Sequence, residues 1–448
     1  MLLSTSLLEP RQHKAIKRLT RKRHTILVAE TGAGKTVICL SAVETNIARK
    51  KLKRVIVSCP AKVVAQWPKE AAKWEHLRFL KVTPVIGDER KRREILKMHG
   101  HADVLVVSTD NLDWLLREKN HGADGIILDE LSKSSGKRAA SLRTKARGDM
   151  FKWRVGMTAS PVSEDFQKLY AMARVIDKGK ALGTDFENYR RRYFTSDYKG
   201  YNWEIKDSSA EEIMGRIRKL VHLIPNNKAA ALPLLIEDHV YFTLPSKTRT
   251  RYDEMREHMI HEEAVAVNEA VKSGKLRQIA SGFLYWRDPG KPNIKRVRRF
   301  SKARRNAALS WLANVGDKEP VMIFYEFEAQ GTDLKNALKL PTHDEAELME
   351  LFRGGEITRM VSQIKSMSHG IDGLQEFCSH VLFYHPVWSN DDSKQARDRI
   401  WRKGQSDTVR VGTLLAEDTL DDLVIARHLD KDEWMKLFER HLRGERIR

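Results

Sequence analysis

The stretch T-I-L-V-A-E-T-G-A-G-K-T at residues 25–36 limits the possible folds more than any other part of the chain. Residues 26–29 are apolar and read as a short buried strand; a glycine-containing turn follows, and residues 35–48 are compatible with a helix. A phosphate-binding loop requires that order. Gly32 and Gly34 let the backbone approach a polyphosphate closely, and successive amides at the helix start point at it. The cradle would comprise Thr31, Gly32, Ala33, Gly34, Lys35 and Thr36. Lys35 would reach the β- and γ-phosphates, and the Thr36 hydroxyl would complete a Mg²⁺ shell. The first glycine of the strict G-x-x-x-x-G-K-[ST] pattern is Ala29 here. An ordinary glycine-rich turn between strand and helix has the same outline, so the rest of the chain must decide.

A net charge of +21 is the next constraint. Basic clusters recur at residues 11–23, 49–54, 90–93, 137–147, 190–192 and 295–305. They suit a polyanionic partner, of which nucleic acid is the commonest, although a scattered, solvated basic surface has the same composition. At 448 residues the chain is too long for one core, so two or three domains are expected. No apolar run approaches the ~20 residues of a membrane-spanning helix, so no membrane association is expected. The opening M-L-L-S-T-S-L-L-E-P is too quickly charged for a secretory signal. Cys39, Cys59 and Cys378 each lie in an apolar stretch, as small buried hydrophobes of a reducing compartment do. A cytosolic protein is expected.

Helical periodicity runs through residues 8–19 and includes Gln12, whose amide could read an adenine edge or simply face water. Residues 54–60 form a β-branched strand ending at Pro60, and an amphipathic helix with Gln66, Trp67 and Glu70 follows. A third strand is expected at 104–109, ending at Thr109. The run G-I-I-L-D-E at 125–130 leads a buried strand straight into two carboxylates. R-V-G-M-T-A-S-P at 154–161 adds a strand and a polar turn containing Ser160. Strands alternating with helical patterns indicate a parallel sheet with helices on both faces. Downstream of a phosphate loop, Asp129 can hold Mg²⁺ while Glu130 orients or deprotonates an attacking water.

From 165 to about 300 strand signals thin out, apart from 237–244, and charge-rich helical stretches dominate. Within them, K-L-R-Q-I-A-S-G-F-L-Y-W at 275–286 mixes basic and aromatic residues as a nucleic-acid surface does, but its apolar positions are better read as core. A second α/β pattern has strands at 320–326, 358–364, 380–384 and 409–415. The expected fold class is therefore α/β: one sheet domain at 1–165, a mainly helical insertion at 166–300, and a second sheet domain at 301–448.

The segment K-Q-A-R-D-R-I-W-R-K-G-Q at 394–405 resembles Q-A-x-x-R-x-x-R-x-G-Q, the last signature of the Swi/Snf-type ATPases of helicase superfamily two. On a helix, Arg399 and Arg402 would share one face. The resemblance extends along nearly the whole chain in the family's order. Residues 10–12 resemble its adenine-reading element and 29–36 its phosphate loop. S-C-P-A-K-V-V-A-Q-W at 58–67 is similar to C-P-x-x-L-x-x-Q-W, and Asp129–Glu130 takes the place of the D-E-x-H box. Residues 158–161 resemble the turn that couples ATP state to DNA contact, and 321–326 the strand opening the second lobe. S-H-G-I-D-G-L-Q at 368–375 resembles G-x-G-L-N-L. Within the family the likeness is to the compact versions encoded by bacteriophages and prokaryotes.

The resemblance implies two RecA-like parallel-sheet lobes of the P-loop NTPase type, with ATP and Mg²⁺ between them. Lys35, Asp129, Glu130, Arg399 and Arg402 would be catalytic, the two arginines acting as fingers. Gln12, Asp372 and Gln395 would add nucleotide contacts, and Thr36 and Asp129 would hold the metal. Pro60, Gln66, Thr109, Ser160, Ser368 and His369 would touch nucleic acid. The implied partner is double-stranded DNA without sequence preference, bound by a monomer in a prokaryotic or phage-infected host cytosol. The chain departs from the family at Ser132, where a histidine is usual, at Asp372, where an asparagine is usual, and in a shortened segment before Phe352. A double-stranded-DNA translocase, a strand-separating DNA or RNA helicase and a non-processive ATP-controlled clamp all fit this residue set.

Overall fold

A computed structural model of the chain describes residues 2–30, 32–118, 121–134, 150–159, 166–196, 203–206, 209–224, 232–258, 260–261, 264–265, 269–288, 291–364, 373–429 and 433. The chain forms two compact units, Met1–Asn226 with Lys431–Arg448, and Asn227–Asp430.

The first unit contains β1 (His24–Val28), β2 (Val55–Cys59), β3 (Val82–Val85), β4 (Val104–Ser108), β5 (Gly125–Leu128), β6 (Trp153–Thr158), a small hairpin of β7 (Phe194–Ser196) and β8 (Trp203–Ile205), and β9 (Val221–Leu223). Among the described residues, seven strands make one parallel sheet in the order β3-β4-β2-β5-β6-β1-β9. Successive strand residues point to opposite faces. Ile26, Ile56, Leu105 and Ile126 pack in one core layer, and Leu27, Val57, Val106 and Ile127 in the other. Helices cover both faces, so these strands read as near-continuous apolar runs, as a parallel sheet requires. β3 is not signalled in the sequence because Pro84 interrupts it. The strand lies at the sheet edge, where a missing N–H costs no ladder bond.

The second unit contains β10 (Leu235–Phe242), the hairpins β11 (Ile260–His261)/β12 (Ala264–Val265) and β13 (Phe283–Asp288)/β14 (Lys291–Arg299), then β15 (Val321–Tyr325), β16 (Arg359–Gln363), β17 (His380–Phe383) and β18 (Val409–Ala416). Its main sheet is parallel in the order β10-β18-β17-β15-β16. The division at Asn226/Asn227 falls inside the stretch expected as an insertion, because β9 pairs with β1 while β10 pairs with β18. That stretch also carries more strand than its charge-rich composition suggests.

Residues 275–286 belong to the core. Leu276, Ile279, Phe283, Leu284 and Tyr285 are buried, and the buried Arg277 forms a two-pronged ion pair with Glu326. The apolar positions of this segment are core, as its sequence suggests. All three cysteines are buried, and burial raises their thiol pKa values. Among the described residues no helix is long and apolar enough to cross a membrane.

Candidate active site

The site is built at the C-terminal ends of β1, β5 and β6. β1 runs into the glycine loop, where Gly32 (φ +79°) and Gly34 (φ +78°) adopt left-handed conformations that only glycine reaches without strain. A Cβ on Gly34 would stand 2.4 Å from Gln12 Nε2. This close approach seats helix α1 (Pro10–Arg21) against the loop. Gln12 Nε2 donates to Ala33 O at 3.0 Å, and its Oε1 accepts from Glu9 N–H at 2.8 Å. One amide thereby ties the start of α1 to the loop, leaving one N–H and one lone pair for an adenine edge.

Helix α2 (Lys35–Ala48) starts at Gly34, directly behind the loop. Lys35 Nζ donates to Ala29 O at 2.8 Å and to Glu30 O at 3.1 Å. The ammonium is thus folded over the loop with a third donor to spare.

Asp129 follows β5, and its N–H donates to Ser58 O at 2.8 Å, extending the pairing one residue past the strand. Its Oδ1 accepts from the Glu130 N–H at 3.0 Å. Burial, and then the neighbouring Glu130 charge, push the Asp129 carboxyl up to about 7, while Lys35 and the Glu130 N–H pull it down. Glu130 has φ +50°, a conformation costing about 1–3 kcal/mol for a non-glycine residue, so the surrounding fold holds it there. β6 lies between β1 and β5. At a strand spacing of about 4.8 Å, the loop and Asp129 stand roughly 10 Å apart along the sheet edge, a span that a triphosphate covers.

The donor chemistry fits a hard divalent cation. The Asp129 carboxylate and Thr36 hydroxyl are oxygen ligands of the type Mg²⁺ prefers. Among the described residues, no group of three or more His, Cys, Asp or Glu could hold a metal by itself. An ion here would therefore complete its shell with phosphate oxygens and water.

The remaining sequence-derived residues are distributed as follows. Pro60 and Thr109 follow the neighbouring strands β2 and β4, so they share the sheet edge with Asp129, and Ser58 Oγ contacts Thr109 Oγ1 at 3.5 Å. Gln66 is exposed at the start of the helix Gln66–Ala71. Thr31, Ser160, Ser368, His369 and Asp372 lie outside the described residues. In the second unit, Gln395 is buried on the helix Asn390–Arg397.

The expectation that Arg399 and Arg402 share a helix face is corrected, because the helix ends at Arg397 and both arginines lie in the turns beyond it. The physical reason is local anchoring. Arg397 pairs with Asp398 and Glu237, and Trp401 Nε1 donates to Pro233 O at 2.9 Å. Gly404 is left-handed at φ +98°, and Gln405 bridges Cys378 O and Asp407 N–H, each at 2.9 Å. The G-Q pair of this signature is therefore loop architecture.

One further fitting was not apparent from sequence. Leu131, which follows Glu130, is fully buried, and a Cβ at Gly156 would lie 2.4 Å from its Cδ2. The bulky residue of D-E-L-S is accommodated by the glycine of β6.

Comparison with known proteins adds the following. The profile of the family described as SNF2-related domain matches residues 12–288. A protein designated p41 from Acyrthosiphon pisum secondary endosymbiont phage 1 is 28% identical, covering 94% of this chain and 95% of its own length. An uncharacterized ATP-dependent helicase of Mycoplasma genitalium is 21% identical over 92% of this chain, which spans only 40% of that relative's length. Among solved structures, the Sulfolobus solfataricus SWI2/SNF2 ATPase core in complex with dsDNA is 20% identical, with a TM-score of 0.43, covering 95% of this chain and 92% of that one.

Proposed function

The chain belongs to the SNF2-related domain family, and from that membership we propose that it is an ATP-driven translocase moving along double-stranded DNA. The carrying observation is the placement of the glycine loop and Asp129 at the C-terminal ends of β1 and β5, on either side of β6, with the loop braced by Gln12. Lys35 exchanges its loop carbonyls for the β- and γ-phosphate oxygens, and the loop amides take the remaining phosphate charge. Thr36 and Asp129 would hold a Mg²⁺ ion, which when bound would supply charge neutralisation of the phosphates. Glu130 orients and deprotonates the attacking water. Arg399 and Arg402 act as fingers on the transition-state charge, a contribution typically worth ~10³–10⁵ in rate.

The excess of positive charge supports binding to the phosphate backbone without sequence preference and with strong salt dependence. The mycoplasma relative's designation as an ATP-dependent helicase supports ATP use. The protein works as a monomer in a prokaryotic or phage-infected host cytosol.

Triplex displacement tests this reading. The purified protein should strip a third strand from duplex DNA with ATP and fail to do so as Glu130→Gln. ATP-dependent binding without displacement would replace the translocase with a clamp, and release of a strand from a forked duplex would replace it with a helicase.

A further inference from the structure

A cavity of about 360 Å³ lies at the other edge of the first sheet, lined by Arg21, Lys22, Arg23, Asn46, Lys51 and Lys152 among others. Arg23 immediately precedes β1, Lys152 precedes β6, and Lys51 lies on the link from α2 to β2. These are the N-terminal ends of strands whose C-terminal ends carry the nucleotide site. At about 3.3 Å per residue, strands of this length separate the two places by roughly 16–20 Å. The cavity is therefore not part of the phosphate-loop site.

Among the described residues its charge is only partly compensated. Lys152 pairs with Asp124 at 2.7 Å. Arg21, Lys22, Arg23 and Lys51 have no carboxylate within ion-pair distance among the described residues, and Lys51 Nζ reaches only Thr20 O at 3.5 Å. The bland account is that these cations neutralise the C-termini of α1 and α2, which both end nearby. Each helix terminus is equivalent to about half a negative charge, so two of them offset roughly one of the four cations. About three positive charges remain.

The second observation is Asn46, in the last turn of α2 and 2% exposed. Its carbonyl accepts from Lys51 N–H at 2.8 Å, but its side-chain Nδ2 has no acceptor among the described residues. A buried amide donor without an acceptor is destabilising, and turning the Asn46 amide toward the cavity would let an anionic oxygen there satisfy it.

We propose that this cavity binds a phosphate group, at a site separate from that of the nucleotide. Asn46 donates to one oxygen, and the Arg21–Arg23 segment with Lys51 supplies the charge. The phosphate comes either from a nucleic-acid backbone or from the free ion, and neither source depends on the ATPase reading.

The test uses the full chain. Inorganic phosphate is titrated at constant ionic strength against chloride while the melting temperature is followed, and binding to a mixed-sequence duplex is measured from 50 to 200 mM salt, a range over which phosphate contacts dominate the salt dependence. The variants are Asn46→Leu, which removes the donor at nearly constant shape, and Lys22→Glu/Arg23→Glu, which alters exposed side chains. Lys318→Glu/Lys339→Glu, both exposed in the second unit and outside the basic clusters named above, serves as the charge-matched control.

For a backbone phosphate, the Lys22/Arg23 pair should lower the slope of log affinity against log salt by about 1–2, and the control should leave it unchanged. For a free phosphate, the wild type should melt higher in phosphate than in chloride, both site variants should lose that increment, and the slope should stay constant. No phosphate-specific increment, together with slopes equal to the control's, would overturn the proposal.

Discussion

Gly156→Ala should transmit a packing error from the middle of the first sheet to the catalytic carboxylates. The new Cβ would stand 2.4 Å from Leu131 Cδ2, 3.1 Å from Leu131 Cγ and 3.1 Å from Ile176 Cδ1. Favourable carbon contacts begin near 3.5 Å, so Leu131 would have to retreat by about 1 Å. Leu131 and Ile176 are both fully buried, so the displacement must be taken up within the core. Overpacking of this kind typically costs about 1–3 kcal/mol. At about 2–4 °C per kcal/mol for a unit of this size, the first unit should melt roughly 2–12 °C lower. Because Leu131 directly follows Asp129 and Glu130, ATP turnover should fall as well. Leu131→Ala alone leaves a cavity worth about 2–5 kcal/mol. In Leu131→Ala/Gly156→Ala the added methyl enters that cavity, so the double variant should be no less stable than Leu131→Ala. Thermal melts followed by tryptophan fluorescence supply the cycle. Additivity of the two changes within about 0.5 kcal/mol would refute the proposed contact.

Gln12→Ala should weaken nucleotide binding about five- to tenfold, the equivalent of one net hydrogen bond of about 1 kcal/mol, because the brace on Ala33 O is lost. A fluorescent-nucleotide titration with unchanged affinity would contradict this. Arg304 and Asp421 form a fully buried ion pair, and Arg304 also donates to Tyr384 O and Leu414 O at 3.1 and 3.0 Å. Arg304→Met should destabilise the second unit by about 3–5 kcal/mol, and Arg304→Met/Asp421→Leu by clearly less, as read by denaturant unfolding; equal losses would argue against an unpaired Asp421 as the cause. Burial, aided by neighbouring cations, pushes His24 and His222 down to about 4. Burial together with Arg277 and Arg304 also lowers His385. These rings are neutral in the fold but protonate near 6.5 when unfolded, so the unfolded state binds more protons between the two values. Their contribution to stability is complete above pH 6.5 and is lost on acidification towards pH 4. The melting temperature should accordingly fall between pH 7 and 5, and a flat profile would contradict the burial of these rings.

The parallel sheets were legible because a strand buried on both faces must be apolar throughout, as in V-I-V-S-C of β2 and G-I-I-L of β5. The phosphate loop was legible because two left-handed positions within three residues demand glycine there. β3 was hidden by Pro84, tolerated only because the strand lies at an edge. The split of residues 166–300 between two units depends on β9 finding β1 and β10 finding β18, pairings that local periodicity does not encode. The positions of Arg399 and Arg402 are not legible in helix periodicity, which says nothing of Arg397's ion pairs or Trp401's reach to Pro233 beyond the helix end. Gly156 carried no signal at all, because its meaning lies in Leu131 on another element.

ATP hydrolysis by the purified chain, measured alone and with double-stranded DNA, single-stranded DNA or RNA beside a Lys35→Ala control, tests the central claim most directly. Turnover stimulated chiefly by double-stranded DNA and abolished in Lys35→Ala is the predicted result. Turnover that survives Lys35→Ala, or that is absent under every condition, would contradict a working nucleotide site at the phosphate loop.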